Sequence, residues 1–495
     1  MSVDAENLGP VERKTWSSGM APAYIGTFLW VAFFDGLGTR ALPIGGLGPS
    51  LLGVLAASVL GYLLLFRVPA AWGFAAGRPL SGVAEATFGI RGASIIPNLA
   101  IALGQVGLFA VGIGLGTDLM LDGLLALGLL EPSAVRPVNW RGAVVPSPLF
   151  LTSAMVWGVV VALAGIKIVQ WIAAIMQYFP IFPAVGLALT MAASLTGLRS
   201  FRPSGIDPTT GAIVANLDGA RLAFMTTFQW TFGFLSLVGI TGADWGAASL
   251  SLADIRKGGW FSVAFTPAVV AALGLLAVAG HEGKLLEQAE SAAEVVGNRP
   301  RINNAPPSNP DSTKTQVQTT FRSAVKAGFD HKVAAAILIV FGLASLAPAC
   351  YAAYEFGHRL SSVAPGISKL AWTLVGVSSG WFLIVGGWFE RTDLIFSILG
   401  GLLAPVAGAM VADSFKNYRR GWPAPRPGIN RAGMLAWTLG AAVGLAPTLA
   451  RALGPEGLAK LAPASLLAFV AAFVVDWVAA SIGLKLKSEP IKETT

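Results

Sequence analysis

The sequence predicts an all-α membrane protein with twelve transmembrane helices. Of its 495 residues, 54% are hydrophobic and only 12% are charged, and the mean hydropathy is +0.67. Soluble proteins carry about 25% charged residues, because a surface that faces water needs them. Apolar runs of the roughly 20 residues that cross about 30 Å of hydrocarbon recur along the whole chain. Lipid is therefore the solvent for most of this surface.

Twelve spans result when the apolar runs are cut at charges, prolines and polar clusters. They cover residues 21–42, 49–73, 93–121, 149–166, 168–197, 219–243, 258–280, 331–356, 366–389, 392–412, 429–451 and 460–484. Most connections are short, which favours one compact bundle. The exception is the extracellular segment 281–332, rich in Glu, Asn, Pro, Ser and Gln. It predicts a flexible or partly helical polar loop that is disordered over 303–315.

The basic residues predict the orientation. With both termini in the cytoplasm, 18 of the 34 lysines and arginines fall on inside segments and nine on short outside segments. Cytoplasmic loops of membrane proteins carry an excess of Lys and Arg. We therefore expect a multi-pass protein of the plasma (inner) membrane with cytoplasmic tails at 1–20 and 485–495. The N-terminal segment lacks the basic start and short apolar run of a cleaved signal.

Several function classes are excluded by what the sequence lacks. The single cysteine, Cys350, excludes an intrachain disulfide, a cysteine-based zinc site and an iron–sulfur cluster. No HExxH or Walker A motif is present, so we expect neither an enzyme nor a resident metal. The basic net charge is explained by membrane topology, so we expect no nucleic-acid partner.

Two spans carry helix interruptions. The first reads AYIGTFLWVAFFDGLGTRALPIGG and the sixth reads FQWTFGFLSLVGITGADWGAASLSLAD, both rich in glycine around a polar residue. Unwound backbone at membrane depth survives only around a cavity, so paired interruptions indicate a transport site. Each span opens a group of five. This spacing predicts two repeats of opposite topology, 21–197 and 219–418, followed by two additional helices over 429–484.

Polar side chains inside these spans are the first binding candidates. A carboxylate at the bilayer centre costs about 2.5 kcal/mol or more, so Asp35 should face the interior or pair with Arg40. Asp244 should cap the inner half of the sixth helix or bind a ligand. Gln105 is an amide in the apolar third span, where it can bind a heterocyclic or amide-bearing solute or link two helices.

The stretch ATFGIRGASIIPNLAIALGQVGLFAVG resembles the second-to-third-helix region of the nucleobase:cation symporter family, the cytosine and hydantoin permeases. The stretch LAPVAGAMVADSFKNYRRGW resembles the family's PPxGGxxxADYxxxRR signature. Three further stretches agree in the same order: LAGIKIVQWIAAI, GADWGAASLSLADIRKGGW and GINRAGMLAWTLGAAVG. The resemblance implies the leucine-transporter architecture, a 5+5 inverted repeat with discontinuous helices 1 and 6. It also implies a midplane substrate site among helices 1, 3, 6 and 8.

Site residues follow from combining the interruptions with this resemblance. The substrate-binding candidates are Trp30, Asp35, Gln105, Leu108, Leu235, Ser236 and Thr241, and the cation-binding candidates are Gly26, Leu29, Ala344 and Ser345. Leu108 stands where the family has a stacking tryptophan, and Ala344 stands where a second hydroxyl is expected. The sequence therefore leaves open Na+ coupling, H+ coupling through Asp35 or Glu355, and no coupling ion.

These observations predict a secondary active transporter that moves a nucleobase, hydantoin, allantoin or vitamin-like heterocycle by alternating access. Two alternatives remain open: an amino-acid or polyamine carrier of the same architecture, and a membrane sensor that no longer transports. The expected partners are the small solute and the lipid bilayer, with a monomer or weak oligomer and no cofactor besides a coupling ion.

Overall fold

The computed structural model describes residues 13–140, 143–167, 178–205, 213–214, 216–297, 319–417, 422–453 and 463–486. In this part of the chain, ten helices are long and apolar enough to cross a membrane, and a bent helix pair makes an eleventh. The shorter apolar helix Lys369–Val385 overlaps the predicted ninth span. Each of the twelve predicted spans thus overlaps a helix, and the chain is an all-α, multi-pass membrane protein.

Among the described residues, the first half of the chain contains seven α-helices and one pair of short strands. They are α1 (Met20–Phe28), α2 (Val31–Gly45), α3 (Leu47–Ala76), α4 (Leu80–Phe88), α5 (Ile90–Ala126), β1 (Val138–Trp140), β2 (Ala143–Val145), α6 (Pro148–Lys167) and α7 (Ile181–Ser194). The strands pair antiparallel between α5 and α6, with Val138 opposite Val145. Three-residue strands are too short to show a hydrophobic alternation, which is why the sequence did not predict them.

The described part of the second half continues with ten α-helices. They are α8 (Asn216–Ile240), α9 (Gly242–Ala247), α10 (Leu252–Ser291), α11 (Phe321–Gly328), α12 (His331–Ala344), α13 (Leu346–Val363), α14 (Lys369–Val385), α15 (Thr392–Asn417), α16 (Arg431–Leu453) and α17 (Ala464–Ser481). Helix α10 extends into the predicted polar segment 281–332, and α11 forms near its end. The stretch 303–315, predicted to be disordered, lies outside the described residues.

Both predicted interruptions are present. The first separates α1 from α2 at Leu29 and Trp30, where the chain bends by 42°. It lies before the glycine-rich stretch that predicted it, since Gly36 is inside α2. A Cβ at Gly36 would lie 2.2 Å from the Trp230 ring, so this glycine is needed for close packing. The second interruption is a single turn at Thr241, between α8 and α9.

The discontinuous helices are joined to each other and to α3. The Tyr24 hydroxyl on α1 donates to the Val238 carbonyl at 2.8 Å, and the Trp230 indole donates to the Phe33 carbonyl on α2 at 3.0 Å. Helix α3 then approaches α9 so closely that a Cβ on Gly73 would lie 2.0 Å from the Ala243 carbonyl oxygen. These contacts hold α1, α2, α3, α8 and α9 together as one unit.

The two ends of the bundle differ in what covers them. At one end, called here the terminal face, the backbone N–H of Lys14 donates to the Ala248 carbonyl. The same face also contains a buried charge cluster that links α15 to the end of α17. In that cluster Asp413 pairs with Arg426 at 2.7 Å and with Lys485 at 2.8 Å. The opposite end, called here the lid face, is covered by α11.

Candidate functional site

A cavity of about 270 Å³ lies at the centre of the bundle, where both helix interruptions meet α5 and α13. Its lining residues come from four parts of the chain: Ala23, Tyr24, Thr27, Trp30, Gln105, Leu108, Phe234, Leu237, Val238, Thr241, Trp245, Ala347, Pro348, Cys350 and Tyr351. None of them is charged. Five are aromatic, so the cavity can hold a flat ring between apolar faces.

Two buried polar side chains in the wall lack a protein hydrogen-bond partner within the described residues. The Trp30 indole N–H is buried and makes no hydrogen bond. The Gln105 amide, on a side chain that is 2% exposed, makes none either. By contrast, the Thr241 hydroxyl donates to backbone carbonyls of its own helix. A buried polar group without a partner costs roughly 1–3 kcal/mol, so Trp30 and Gln105 are where a solute would gain hydrogen bonds.

Four of the seven substrate-binding candidates line the cavity, namely Trp30, Gln105, Leu108 and Thr241. The other three lie outside its lining. Asp35 is on α2 near the lid face. Leu235 packs against Gly61 of α3, and the Ser236 hydroxyl donates to the Phe232 carbonyl at 2.8 Å.

The lining residues that the sequence did not single out lie on α1, on α8 and α9, and on α13. Phe234, Leu237, Val238 and Trp245 join Thr241 at helical spacings of three, four and seven residues. Helical spacing from Thr241 predicts the other members of this stripe. The prediction of Leu235 and Ser236 instead placed the cavity-facing side of α8 about one residue away from its position in the structure. Cys350 and Tyr351 had no such anchor, because α13 offers no other polar residue at this level.

The candidate cation residues are divided between two places. Gly26 and Leu29 lie at the end of α1, where the break leaves helix carbonyls without a following turn. Ser345 separates α12 from α13, and its hydroxyl donates to the Phe341 carbonyl at 3.1 Å. The next residue back, Ala344, supplies no side-chain oxygen. Within the described residues no group of three or more His, Cys, Asp or Glu side chains could hold a metal ion.

The lid face is closed by α11. The backbone N–H of Phe321, the first residue of α11, donates to the Asp35 carboxylate at 2.6 Å. Arg322 on the same helix pairs with Asp118 at 2.9 Å and with Asp122 at 3.3 Å on α5. Behind these contacts, Phe34, Phe321 and Phe341 pack edge to face. Polar and aromatic contacts together cover this end of the cavity.

An equivalent arrangement exists at the terminal face. The Asp244 carboxylate on α9 accepts the backbone N–H of Leu80, the first residue of α4, at 2.8 Å. Asp244 therefore caps a neighbouring helix as well as belonging to the sixth span. It also pairs with Arg359 at 3.0 Å, and Arg359 pairs with Glu355 at 2.7 Å. Glu355, considered from sequence as a proton carrier, is thus held in an ion pair.

The cavity opens toward the terminal face. Tyr351, on the side of α13 nearest Arg359, is 46% exposed although it lines the cavity. At the other end of the cavity, Trp30 is 2% exposed and Phe234 is 1% exposed. The wall of the cavity is therefore more exposed at Tyr351 than at its inner end.

Solved structures with this arrangement of helices are transporters. A closed conformation of Mhp1, a nucleobase-cation-symport-1 family transporter, with bromovinylhydantoin bound, aligns with a TM-score of 0.55 and 16% identity over 97% of this chain and 96% of that chain. The inward-facing conformation of Mhp1 aligns with a TM-score of 0.58 and 16% identity over 98% of both chains. This chain has the leucine-transporter fold.

A Na+-coupled sialic acid symporter in a substrate-bound outward-open state shares this fold, with a TM-score of 0.61 and 12% identity over 97% of this chain and 92% of that chain. No family model matches the sequence, and no curated protein matches it. The similarity therefore resides in the fold: a 5+5 inverted repeat with discontinuous helices 1 and 6. These neighbours are transporters and not enzymes.

Proposed function

We propose that this protein is a secondary active transporter that carries a small uncharged heterocycle, of the nucleobase, hydantoin, allantoin or vitamin-like class, by alternating access across the plasma membrane. The observation that carries the proposal is that the buried side chains of Trp30 and Gln105 make no hydrogen bond to the described residues and line an uncharged, aromatic cavity. An indole donates and an amide both donates and accepts, which matches the edge of a cyclic amide or imide.

The absence of charge from the cavity wall argues against the other carriers of this architecture. A polyamine brings several positive charges, and moving a charge out of water without a partner is strongly unfavourable. An amino acid would need its carboxylate held by free helix N–H groups at the interruptions and its ammonium left without a partner. A neutral heterocycle requires neither.

Other aromatic rings can provide the stacking for which the family resemblance expects a tryptophan at the position of Leu108. Trp30, Trp245 and Tyr351 each present a ring to the cavity. An aromatic pair contributes about 0.5–1.5 kcal/mol beyond the burial of its area. We propose that a planar solute stacks on one of these rings while Gln105 binds its edge.

We propose weak coupling to Na+ through the end of α1 and Ser345. Unwound backbone carbonyls can hold a monovalent cation, and the residues ending α1 include Gly26 and Leu29. At this level the eighth span adds one serine hydroxyl, on Ser345, because residue 344 is alanine. Sodium should therefore increase solute affinity only slightly.

The experiment is a binding and flux assay on the full-length protein. Purified protein is melted against nucleobases, hydantoins, allantoin, vitamins, amino acids and polyamines, and ligands that raise the melting temperature are tested for uptake into proteoliposomes. Gln105→Ala should weaken binding about tenfold or more, because the solute loses its partner in a buried site.

Gln229→Ala is the matched control. Its amide donates to the Ser465 hydroxyl at 2.7 Å, outside the cavity, so the variant should lower stability without changing affinity. Binding of a charged amino acid or polyamine in place of a heterocycle would overturn the substrate class. Binding without flux would replace the transporter by the sensor alternative.

A further inference from the structure

A second groove lies on the surface of the bundle, separate from the central cavity. It has a volume of about 490 Å³ and runs between α3 and the start of α10, near the terminal face. Arg67 on α3 and Arg256 on α10 line it from opposite sides. Tyr62 and Trp260 form the wall between them, with ring centroids 4.5 Å apart. The groove thus joins two cations and two aromatic rings.

Neither arginine has a hydrogen-bond or ion-pair partner among the described residues. The carboxylate nearest in sequence, Asp254, stands two residues before Arg256, which places it about 200° around the helix. It also has partners of its own, since it accepts the Trp16 backbone N–H at 3.2 Å and the Ser251 hydroxyl at 2.6 Å. Both guanidinium groups therefore remain available to an anion.

The groove owes its shape to two π-helical turns that meet there. One covers Gly61–Phe66 in α3 and the other covers Trp260–Phe265 in α10. Such turns are rare and occur frequently at functional sites. Gly259 permits the approach of the two helices, because a Cβ there would lie 2.6 Å from the Tyr62 ring. The local backbone is therefore adapted to this groove on both helices.

The rim of the groove is apolar and faces outward. Leu252 is 55% exposed, Trp260 is 44% exposed, and Leu63 is partly exposed beside them. All three belong to membrane-spanning helices, so their exposed surfaces face hydrocarbon or the headgroup boundary. Tryptophan is enriched at that boundary. A ligand that fits the whole groove carries an anionic group next to apolar chains.

We propose that this groove binds the headgroup phosphate of an anionic phospholipid, with the acyl chains lying along Leu63 and Trp260. Basic pockets between transmembrane helices near a membrane surface recognise such headgroups. Arginine suits phosphate because its planar guanidinium donates two parallel hydrogen bonds. The lipid then fastens α3 to α10 at the terminal face.

The test uses native mass spectrometry of the full-length protein in detergent. Phosphatidylglycerol, phosphatidylcholine with the same acyl chains, and inorganic phosphate are titrated separately. Wild type should retain phosphatidylglycerol at least about tenfold more tightly than phosphatidylcholine, and the double variant Arg67→Gln, Arg256→Gln should lose about ten- to thirtyfold of that affinity. The double variant Arg91→Gln, Arg431→Gln removes two exposed charges near the same face and should retain it within about twofold.

A second measurement needs no variant. Phosphatidylglycerol should slow hydrogen–deuterium exchange of wild-type peptides covering 252–260, and phosphatidylcholine should not. Equal retention of the two lipids, unchanged retention by the groove variant, or an equal loss in the control would overturn the proposal. Binding of inorganic phosphate as tight as that of the lipid would assign the groove to a free anion instead.

Discussion

The Asp35 carboxylate accepts the backbone N–H of Phe321 at 2.6 Å, across 286 positions of sequence. At the opposite face, Asp244 accepts the backbone N–H of Leu80 at 2.8 Å. In both cases an aspartate of a discontinuous helix caps the first residue of a short helix from the other repeat. The two contacts thus join the same kinds of groups at opposite faces of the bundle. Each contact joins a discontinuous helix to a short helix at one face of the bundle.

The contact at the lid face should control access to the cavity from that side. Asp35→Ala removes the acceptor and leaves the first N–H of α11 unpaired, so the lid should open more often. Cys350 lines the cavity and is the single cysteine of the chain, so its modification by a polar thiol reagent reports access. Labelling from the lid side should accelerate about tenfold, as expected for loss of a charge-assisted hydrogen bond.

The control for this experiment is Glu131→Ala, which removes an exposed carboxylate after α5 without touching α11. It should leave the labelling rate unchanged. Bound solute should slow the labelling of both proteins, because Cys350 shares the cavity with it. Equal rates for wild type and Asp35→Ala from the lid side would show that the aromatic contacts alone close this face.

The ion pairs at the terminal face should contribute to stability. Arg359→Gln leaves the buried Glu355 carboxylate without its cation, and breaking a buried pair typically costs about 3–5 kcal/mol. The melting temperature should fall clearly, and adding Glu355→Gln should restore part of the loss. Arg78→Gln breaks an exposed pair with Glu85 and should cost less than about 1 kcal/mol. Equal melting of the two single variants would contradict the buried pair.

The close approach of α3 and α9 should make Gly73 intolerant of a side chain. Gly73→Ala places a Cβ 2.0 Å from the Ala243 carbonyl oxygen, and we expect a loss of about 3 kcal/mol or of folded protein altogether. Gly48→Ala on the same helix has nothing within 4 Å, and its melting temperature should stay the same or rise. Size-exclusion chromatography and thermal unfolding measure both variants. Tolerance of alanine at both positions would refute the packing.

Sodium dependence should change with residue 344. Ala344→Thr supplies the second hydroxyl next to Ser345, so sodium should then tighten solute binding about fivefold more than it does in wild type. Ala344→Val has nearly the same shape without the oxygen and should show no gain. Solute affinity is measured with sodium and with potassium. A gain in both variants would assign the effect to packing, and strong sodium dependence in wild type would show that one hydroxyl suffices.

Hydropathy predicted the spans because each must supply about 20 apolar residues. Within the third span, Gln105 stood out as a polar residue in an apolar run, and it does line the cavity. The break at Leu29 and Trp30 could not be read in the same way, because neither residue is a glycine or proline. Its position depends on the hydrogen bonds that fix Tyr24 and Trp230 across helices.

Which side chains of α8 face the cavity also depends on tertiary packing. The Leu235 side chain packs against Gly61 of α3. Phe234 and Val238 therefore line the cavity, and Leu235 and Ser236 do not. A one-residue rotation changes the chemistry of a wall without changing the hydrophobic pattern of the helix. The sequence therefore predicts which helices form the site better than which of their side chains reach it.

The glycine-mediated contact between α3 and α9 depends on different groups from those that form the cavity wall. Gly73 meets the main chain of its neighbour, so the fit there depends on neither helix's side-chain chemistry. The cavity wall, by contrast, consists of replaceable side chains such as Leu108 and Val238. Substitutions in the cavity wall can therefore change its chemistry while the contact between the two helices stays the same.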